Sequence, residues 1–397
     1  MVVMHELKRL NPYMRLIFLF AFFALSIGDA FNVLFIKEMA ESFAPQGKLE
    51  LYTSIPVTAM SAMMIAGVCV SNYIARHKDS FSSFLRIAVV LTIIGMAVRG
   101  LAFHYIIMLL GFMAVGFGYG CFYIGIRYYS YLFEDEKDRM ETMAYISGGS
   151  FAGQCMGTVL GGIMAGQMAY RTVYLLAVLL MIPAFILSKR YEVKEKIGAG
   201  KISDSLKIFK NPKTVIYLLL MVIPMFACTV FTSYTVPLEI DAFGYSSTVI
   251  SALLLGAYLI AAYAGPYMTG LITSLMRPLG GTYIYCLGVA FLIAVFALGK
   301  TFPLLVLVVL MLGFMDSFGP SVMTGAYTNI NDGEKAGGSG SLLVYILVTR
   351  IGMTIAPTII LVFGTSLALS GFVIIGMALF MVLGTVINMI TERGEKV

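Results

Sequence analysis

Charge is what this sequence has least of. Asp, Glu, Lys and Arg make up 12% of its 397 residues, about half the roughly 25% of a soluble domain. Hydrophobic residues make up 59%, and the mean hydropathy is +0.91. No polar stretch is longer than the one from Lys189 to Lys213. No soluble catalytic domain fits, so cytosolic, nuclear and secreted enzymes are excluded. No cysteine stands at ligand spacing from another cysteine or from His5, His77 or His104. Cys69, Cys121, Cys155, Cys228 and Cys286 all lie in apolar runs, where they act as small apolar residues, and neither a disulfide framework nor a metal site is expected. A Gly-x-x-x-x-Gly-Lys-[Ser/Thr] loop is absent, which argues against direct ATP drive, and no cofactor is expected. No basic run is interleaved with aromatics, so the net charge of +6 is no nucleic-acid footprint. No small-residue cleavage pattern follows His5-Glu6-Leu7-Lys8-Arg9, so the first apolar run is read as a retained membrane helix. Trp is absent, against 28 Phe, 23 Tyr and 27 Met.

What is there is a series of apolar runs. They fall near 15–36, 53–74, 84–102, 105–127, 141–165 and 170–188, then 213–236, 247–270, 281–299, 302–326, 340–363 and 365–389. Each covers about 30 Å of hydrocarbon as a helix; the run at 141–165 is the weakest, because Gly, Ser and Gln interrupt it. The reading is an all-α polytopic membrane protein of twelve transmembrane helices. Residues 1–188 form a first six-helix bundle, 189–212 a linker and 213–397 a second bundle. Of the 27 Lys and Arg, 21 fall at the termini, the linker and the even-numbered loops. Lys37, Lys48, Arg99, Arg171 and Lys300 fall on the other side, and Arg350 lies within a span. Positive loops stay inside, so both termini are expected to be cytoplasmic, in the cell membrane.

The halves repeat. Asn11-Pro12 precedes span one and Asn211-Pro212 precedes span seven. Ser71 corresponds to Gly270. Gly153-x-x-x-Gly157-Thr158 in span five corresponds to Gly352-x-x-x-Ala356-Pro357 in span eleven. Leu110-Gly111-Phe112-Met113 recurs as Leu312-Gly313-Phe314-Met315. Four matches at offsets of about 200 residues indicate a duplicated six-helix unit.

A duplicated bundle with these motifs resembles the major facilitator superfamily. Gly153-Gln154-Cys155-Met156-Gly157-Thr158-Val159-Leu160-Gly161-Gly162 is similar to the family's antiporter motif, with Thr158 where the motif has Pro; Pro357 keeps the Pro in span eleven. Glycines four apart let helix backbones approach, which ordinary packing also uses. The loop Ser71-Asn72-Tyr73-Ile74-Ala75-Arg76-His77-Lys78-Asp79 retains one Arg of the family's Gly-x-x-x-Asp-Arg-x-Gly-Arg-Arg motif. Gly116-Phe117-Gly118-Tyr119-Gly120 is like the family's glycine-rich stretch, with Phe112 where antiporters usually have Arg. The resemblance implies a site at mid-membrane between the halves.

Charges inside spans are costly and usually functional. Asp29 lies fourteen residues into span one with no cationic residue within a turn or two. It is a candidate proton carrier or substrate ligand, the alternative being a carboxyl bonded to a neighbouring helix for packing. Asp316 in span ten is the second candidate. Arg350 is too deep to snorkel; it pairs with Asp316 or Asp29, or holds an anionic substrate group, with Asp316 preferred. Arg127, near the end of span four, either snorkels or forms a cytoplasmic gate. Tyr119, Tyr123 and Arg127 recur every four residues and share one face. Tyr234, Tyr258, Tyr263, Tyr327 and Tyr345 are further candidates, since a phenol suits an amphipathic substrate; packing explains any single one equally. Methionine is read as packing filler or as the lining of an adaptable pocket.

The expected function is secondary active transport of a small amphipathic organic solute by alternating access, coupled to protons, with export favoured over import by the span-five glycines. A monomer in the lipid bilayer is expected. The rivals are a membrane enzyme, for which the loops offer only scattered His and the turn Glu134-Asp135-Glu136-Lys137-Asp138, and a transporter-like sensor or anchor.

Overall fold

The computed structural model describes residues 2–77, 81–130, 132–133, 136–194, 206–276, 278–330, 338–362 and 367–394. Every regular element among them is a helix. The first run is made of α1 (Val2–Ser26) and α2 (Asn32–Glu41), followed by α3 (Leu49–His77), α4 (Phe81–Gly100), α5 (Tyr105–Ser130), α6 (Glu136–Ala165) and α7 (Tyr170–Arg190). After a short 3-10 turn at Leu206–Lys210 come α8 (Pro212–Ala242), α9 (Ser247–Leu275), α10 (Pro278–Gly299), α11 (Phe302–Asp316), α12 (Gly319–Ile330), α13 (Gly338–Val362) and α14 (Leu367–Gly394).

Seven of these helices are long and apolar enough to cross a membrane, eight when α11 and α12, bent by 41° at their junction, count as one. Leu343–Ala356 and Ile375–Ile390 are shorter apolar helices. The helices α1 and α6 fall outside that test for different reasons. The apolar run of α1 ends at Ser26, where a turn over 27–31 interrupts the span before α2. Glycine leaves room in that turn: a Cβ on Gly28 would meet the Asn32 side chain, which would have to shift. In α6 glycines and polar residues stand where a lipid-facing helix would carry aliphatics. The start of α8 is set by Asn211, whose side chain accepts from the Lys213 N–H at 3.0 Å with Pro212 in the first turn, a proline-initiated cap.

The helices pack into two compact units, Met1–Gly200 with Ser246–Ser251, and Lys201–Tyr245 with Ala252–Val397. Within the first, α1 packs on α6 and α7, α3 on α5, and α4 on α5 and α7. Within the second, α8 packs on α13, and α10 on α14, α11 and α12; Gly313 of α11 abuts the backbone of Ala257 in α9. The pairing is the same in each: span one with five and seven with eleven, two with four and eight with ten, three with six and nine with twelve. The matched glycines repeat this at the level of atoms, with Gly153 on the carbonyl of Leu19 and Gly352 on that of Ile223. The Leu-Gly-Phe-Met match behaves differently, since Gly111 lies against α4 rather than α3.

Residues just past α7 fold back on the first unit. Tyr191 stacks on Tyr13 with ring centroids 3.5 Å apart. Glu192 takes a salt bridge from Arg86 at 2.6 Å. Val193 donates to Ser82 Oγ at 2.7 Å and accepts from the Ser82 N–H at 3.3 Å. Lys8 and Asp138 pair at 2.8 Å, joining α1 to α6. All five cysteines are free thiols.

Candidate functional site

Asp29 sits in the turn that breaks span one. The reason lies in α6, whose Gly153, Gly157 and Gly161 press against the carbonyls of Leu19, Phe23 and Ile27 in turn. With no side chains between them, the helix axes approach closely, and the next polar residue of α6 reaches the turn. Thr158 Oγ1 donates to Asp29 Oδ2 at 3.4 Å. The residue that replaces the motif proline is thus the one that touches the carboxyl. Gly162, on a neighbouring face, lies against Ser251, and Ser247 Oγ donates to its carbonyl at 3.2 Å; Ser246–Ser251 belongs to this same unit.

Three side chains that the sequence did not single out complete the cluster. Tyr174 of α7, fully buried, donates to Asn32 Oδ1 at the start of α2. Arg99 of α4 is also fully buried. Its guanidinium lies over the ring of Phe112, 3.7 Å from the centroid, and 5.4 Å from that of Tyr174, while Nη2 points to Met60 Sδ at 3.4 Å. Counting loop charges placed Arg99 on the non-cytoplasmic side; the structure adds that the last turn of α4, which carries it, is buried against α5 and α7. The run 84–102 already contains it, and that was the available signal. Phe112, where antiporters usually have Arg, provides the face on which this other arginine rests. Phe31 stacks on Tyr170 with centroids 5.1 Å apart and walls the cluster on the far side of the turn.

On α5, Tyr119, Tyr123 and Arg127 share one face, and each is only half-buried in a helix otherwise largely enclosed. Tyr119 meets the edge of Phe22 at 5.5 Å.

In the second unit Asp316 ends α11 at the bend and keeps exposed surface. Tyr285 of α10 donates to its Oδ1 at 2.6 Å. Gly319 allows this, for a Cβ there would strike the Tyr285 ring. Arg350 is 5% exposed in α13 and directs Nη1 to Met353 Sδ at 3.0 Å. The acid thus accepts from a phenol, where the sequence reading expected Arg350. Tyr345 is buried, 5.0 Å from Tyr327 and 6.3 Å from Phe226 between ring centroids; Tyr234 is buried in the π-helical segment Phe231–Thr235. Tyr258 and Tyr263 lie on α9, and Tyr263 is strongly exposed. Pro357 lies within α13, and its side chain falls outside the described residues, as does Asp79.

Chemically, the first unit offers a carboxyl held by a hydroxyl near a buried cation, and the second a carboxyl held by a phenol. Each sits where a span bends, and each can take up or release a proton by making or breaking one O–H bond.

A family model described as Major Facilitator Superfamily matches residues 17–357. No curated protein sequence matches the chain. Among solved structures, the POT family transporter PepTSo is similar with TM-score 0.75 at 10% identity, over 98% of each chain. A bacterial homolog of the human lysosomal transporter Spinster, inward-facing and unoccupied, has TM-score 0.72 at 12% identity, over 98% of this chain and 97% of its own. A D-xylose–proton symporter has TM-score 0.71 at 14% identity, over 94% of this chain and 96% of its own.

Proposed function

The chain belongs to the major facilitator superfamily, and on that premise we propose that it moves a small amphipathic organic solute by alternating access, driven by protons bound at Asp29. The family and its solved neighbours are transporters, not enzymes. One neighbour is by its name a proton symporter, so the fold is compatible with this coupling. The observation that carries the proposal is the placement of Asp29: a carboxyl at the break of span one, on the hydroxyl of Thr158 in the span-five motif. A titrating group at a helix break next to a close helix contact is placed to link proton binding to a change in packing. Asp316 is the second proton site. Tyr119, Tyr123 and Arg127, with Tyr234, Tyr345 and Arg350, are the candidate substrate contacts and gates. Residues 1–188 and 213–397 are the two moving bundles, both termini are cytoplasmic, and export is the favoured direction, as the span-five glycines resemble the antiporter motif.

The test begins with a thermal-shift screen of small organic cations, anions and zwitterions on the purified chain. Compounds that raise the melting temperature are then assayed for counterflow and for accumulation under an imposed pH gradient in proteoliposomes. Asp29→Asn should keep counterflow and lose pH-driven accumulation. Retained accumulation would transfer the role to Asp316. A compound that binds but shows no counterflow in the parent protein would support a sensor instead.

A further inference from the structure

Apart from the cluster around Asp29, the first unit carries a cavity of about 290 Å³. It lies between α2 and the turn that joins α6 to α7, at the end of span one away from the N-terminus. Phe35, almost wholly buried, and Tyr170, half-buried, form an aromatic wall, edge to face with centroids 6.2 Å apart. Met168 and Ala169 line the opposite rim and are exposed, so the cavity opens to water.

Two opposite charges line this one cavity, Glu38 of α2 and Arg171 in the first turn of α7. They do not pair. Neither makes a salt bridge among the described residues, with the other or with any third group. Arg171 is held by softer contacts: its guanidinium lies over the Phe103 ring, 4.8 Å from the centroid, and Nη2 points to Met39 Sδ at 3.3 Å. Met39 follows Glu38 in the chain, so the guanidinium is fixed against the helix that carries the acid without engaging it. A ring face and a thioether leave most of the guanidinium's donors unspent.

Opposite charges held apart beside an aromatic wall are complementary to a molecule that carries both charges and an apolar part. A guanidinium fork matches a carboxylate, and a carboxylate matches an ammonium. A singly charged ligand would satisfy one wall and leave the other facing its apolar end. The volume is at the lower bound of small-molecule pockets, about 300 Å³, which suits a single amino acid and excludes a peptide or a lipid. We propose that this cavity binds a small zwitterion of the amino-acid type, with its carboxylate on Arg171, its ammonium at Glu38 and an uncharged side chain against Phe35 and Tyr170. No bond is made or broken. The site goes beyond the transport reading and does not rest on it, since a ligand can occupy it whether or not Asp29 titrates.

The test uses three ligands of one skeleton: L-leucine with both charges, isocaproate without the ammonium and isoamylamine without the carboxylate. Each is titrated against the melting temperature of the full chain in detergent, which rises with occupancy of the folded state. L-leucine should give a saturable shift at millimolar concentration and bind about tenfold tighter than either analogue. Glu38→Gln should weaken L-leucine about tenfold and leave isocaproate unchanged. Arg171→Gln should weaken L-leucine as much and leave isoamylamine unchanged. Ala169→Phe fills the cavity and should abolish binding of all three. Ala169 is exposed, with φ −58° and ψ 138°, so this variant should melt with the parent when no ligand is present. An absent L-leucine shift, or analogues that bind as tightly, overturns the proposal. Selectivity that survives both charge variants, or binding that survives Ala169→Phe, places L-leucine elsewhere and overturns it too. Should Arg171→Gln not fold, Arg171→Lys removes the fork and should weaken L-leucine and isocaproate together while sparing isoamylamine; equal weakening of all three would count against the site.

Discussion

Gly161 rests on the carbonyl of Ile27, two residues before Asp29, so a side chain there pushes the turn away from α6. Gly161→Val should lower stability by about 1–3 kcal/mol, the usual range for overpacking, read as a fall in melting temperature. Gly148, where an added Cβ meets nothing, is the control: Gly148→Ala should be nearly neutral. In the second unit Tyr285→Phe removes the hydrogen bond to Asp316 and should cost about 1 kcal/mol. Because Tyr285 rather than Arg350 occupies Asp316, Asp316→Asn and Arg350→Gln should be additive within about 0.5 kcal/mol; a coupling larger than that in a melting-temperature cycle would restore the ion pair. Asp29 and Asp316 were legible in the sequence because a charge in an apolar run stands out by cost alone. The partners of both were not. Thr158 and Tyr285 are uncharged residues more than a hundred and about thirty positions away, and only packing brings them to the acids. The burial of Arg99 was not legible because it lies one residue from the end of its helix, where position along the chain does not separate a loop from a buried last turn.

Helix positions followed from run length, since a bilayer fixes how many apolar residues a span needs. The interruptions did not. The sequence reads 15–36 and 302–326 as single spans, whereas the chain breaks at 27–31 and bends at Ser317-Phe318. Both breaks follow a polar residue that a hydropathy average absorbs. The helix α6 had the faintest apolar pattern and yet makes the closest backbone approach to α1. Hydropathy reports contact with lipid, and a helix that packs by glycine against another backbone has little need of it. Gly28→Val tests the break in span one: the added side chain displaces Asn32 or the turn, and pH-driven transport should fall by more than tenfold while counterflow falls less.

At the scale of the molecule, duplication was the most legible feature, and the helix pairings within each unit repeat it. Its signal includes glycines at equivalent backbone contacts, Gly153 on Leu19 and Gly352 on Ile223. The charge asymmetry makes a prediction of its own: in a cysteine-free background, Lys201→Cys should resist a membrane-impermeant maleimide added to intact cells and react after permeabilisation. Labelling from outside would invert the topology.

The fold-back of Tyr191, Glu192 and Val193 onto Tyr13, Arg86 and Ser82 has a practical side for anyone wishing to cut or extend the chain. It marks where the first bundle ends as a physical object, a few residues beyond its last helix. A fluorescent protein or protease site inserted after Lys194 leaves this fastening whole and should not change the melting temperature. The same insertion after Lys189 detaches it and should lower melting by a few degrees. The half-exposed salt bridge supplies at most about 1 kcal/mol of that, so Glu192→Gln alone should reproduce only a minor share.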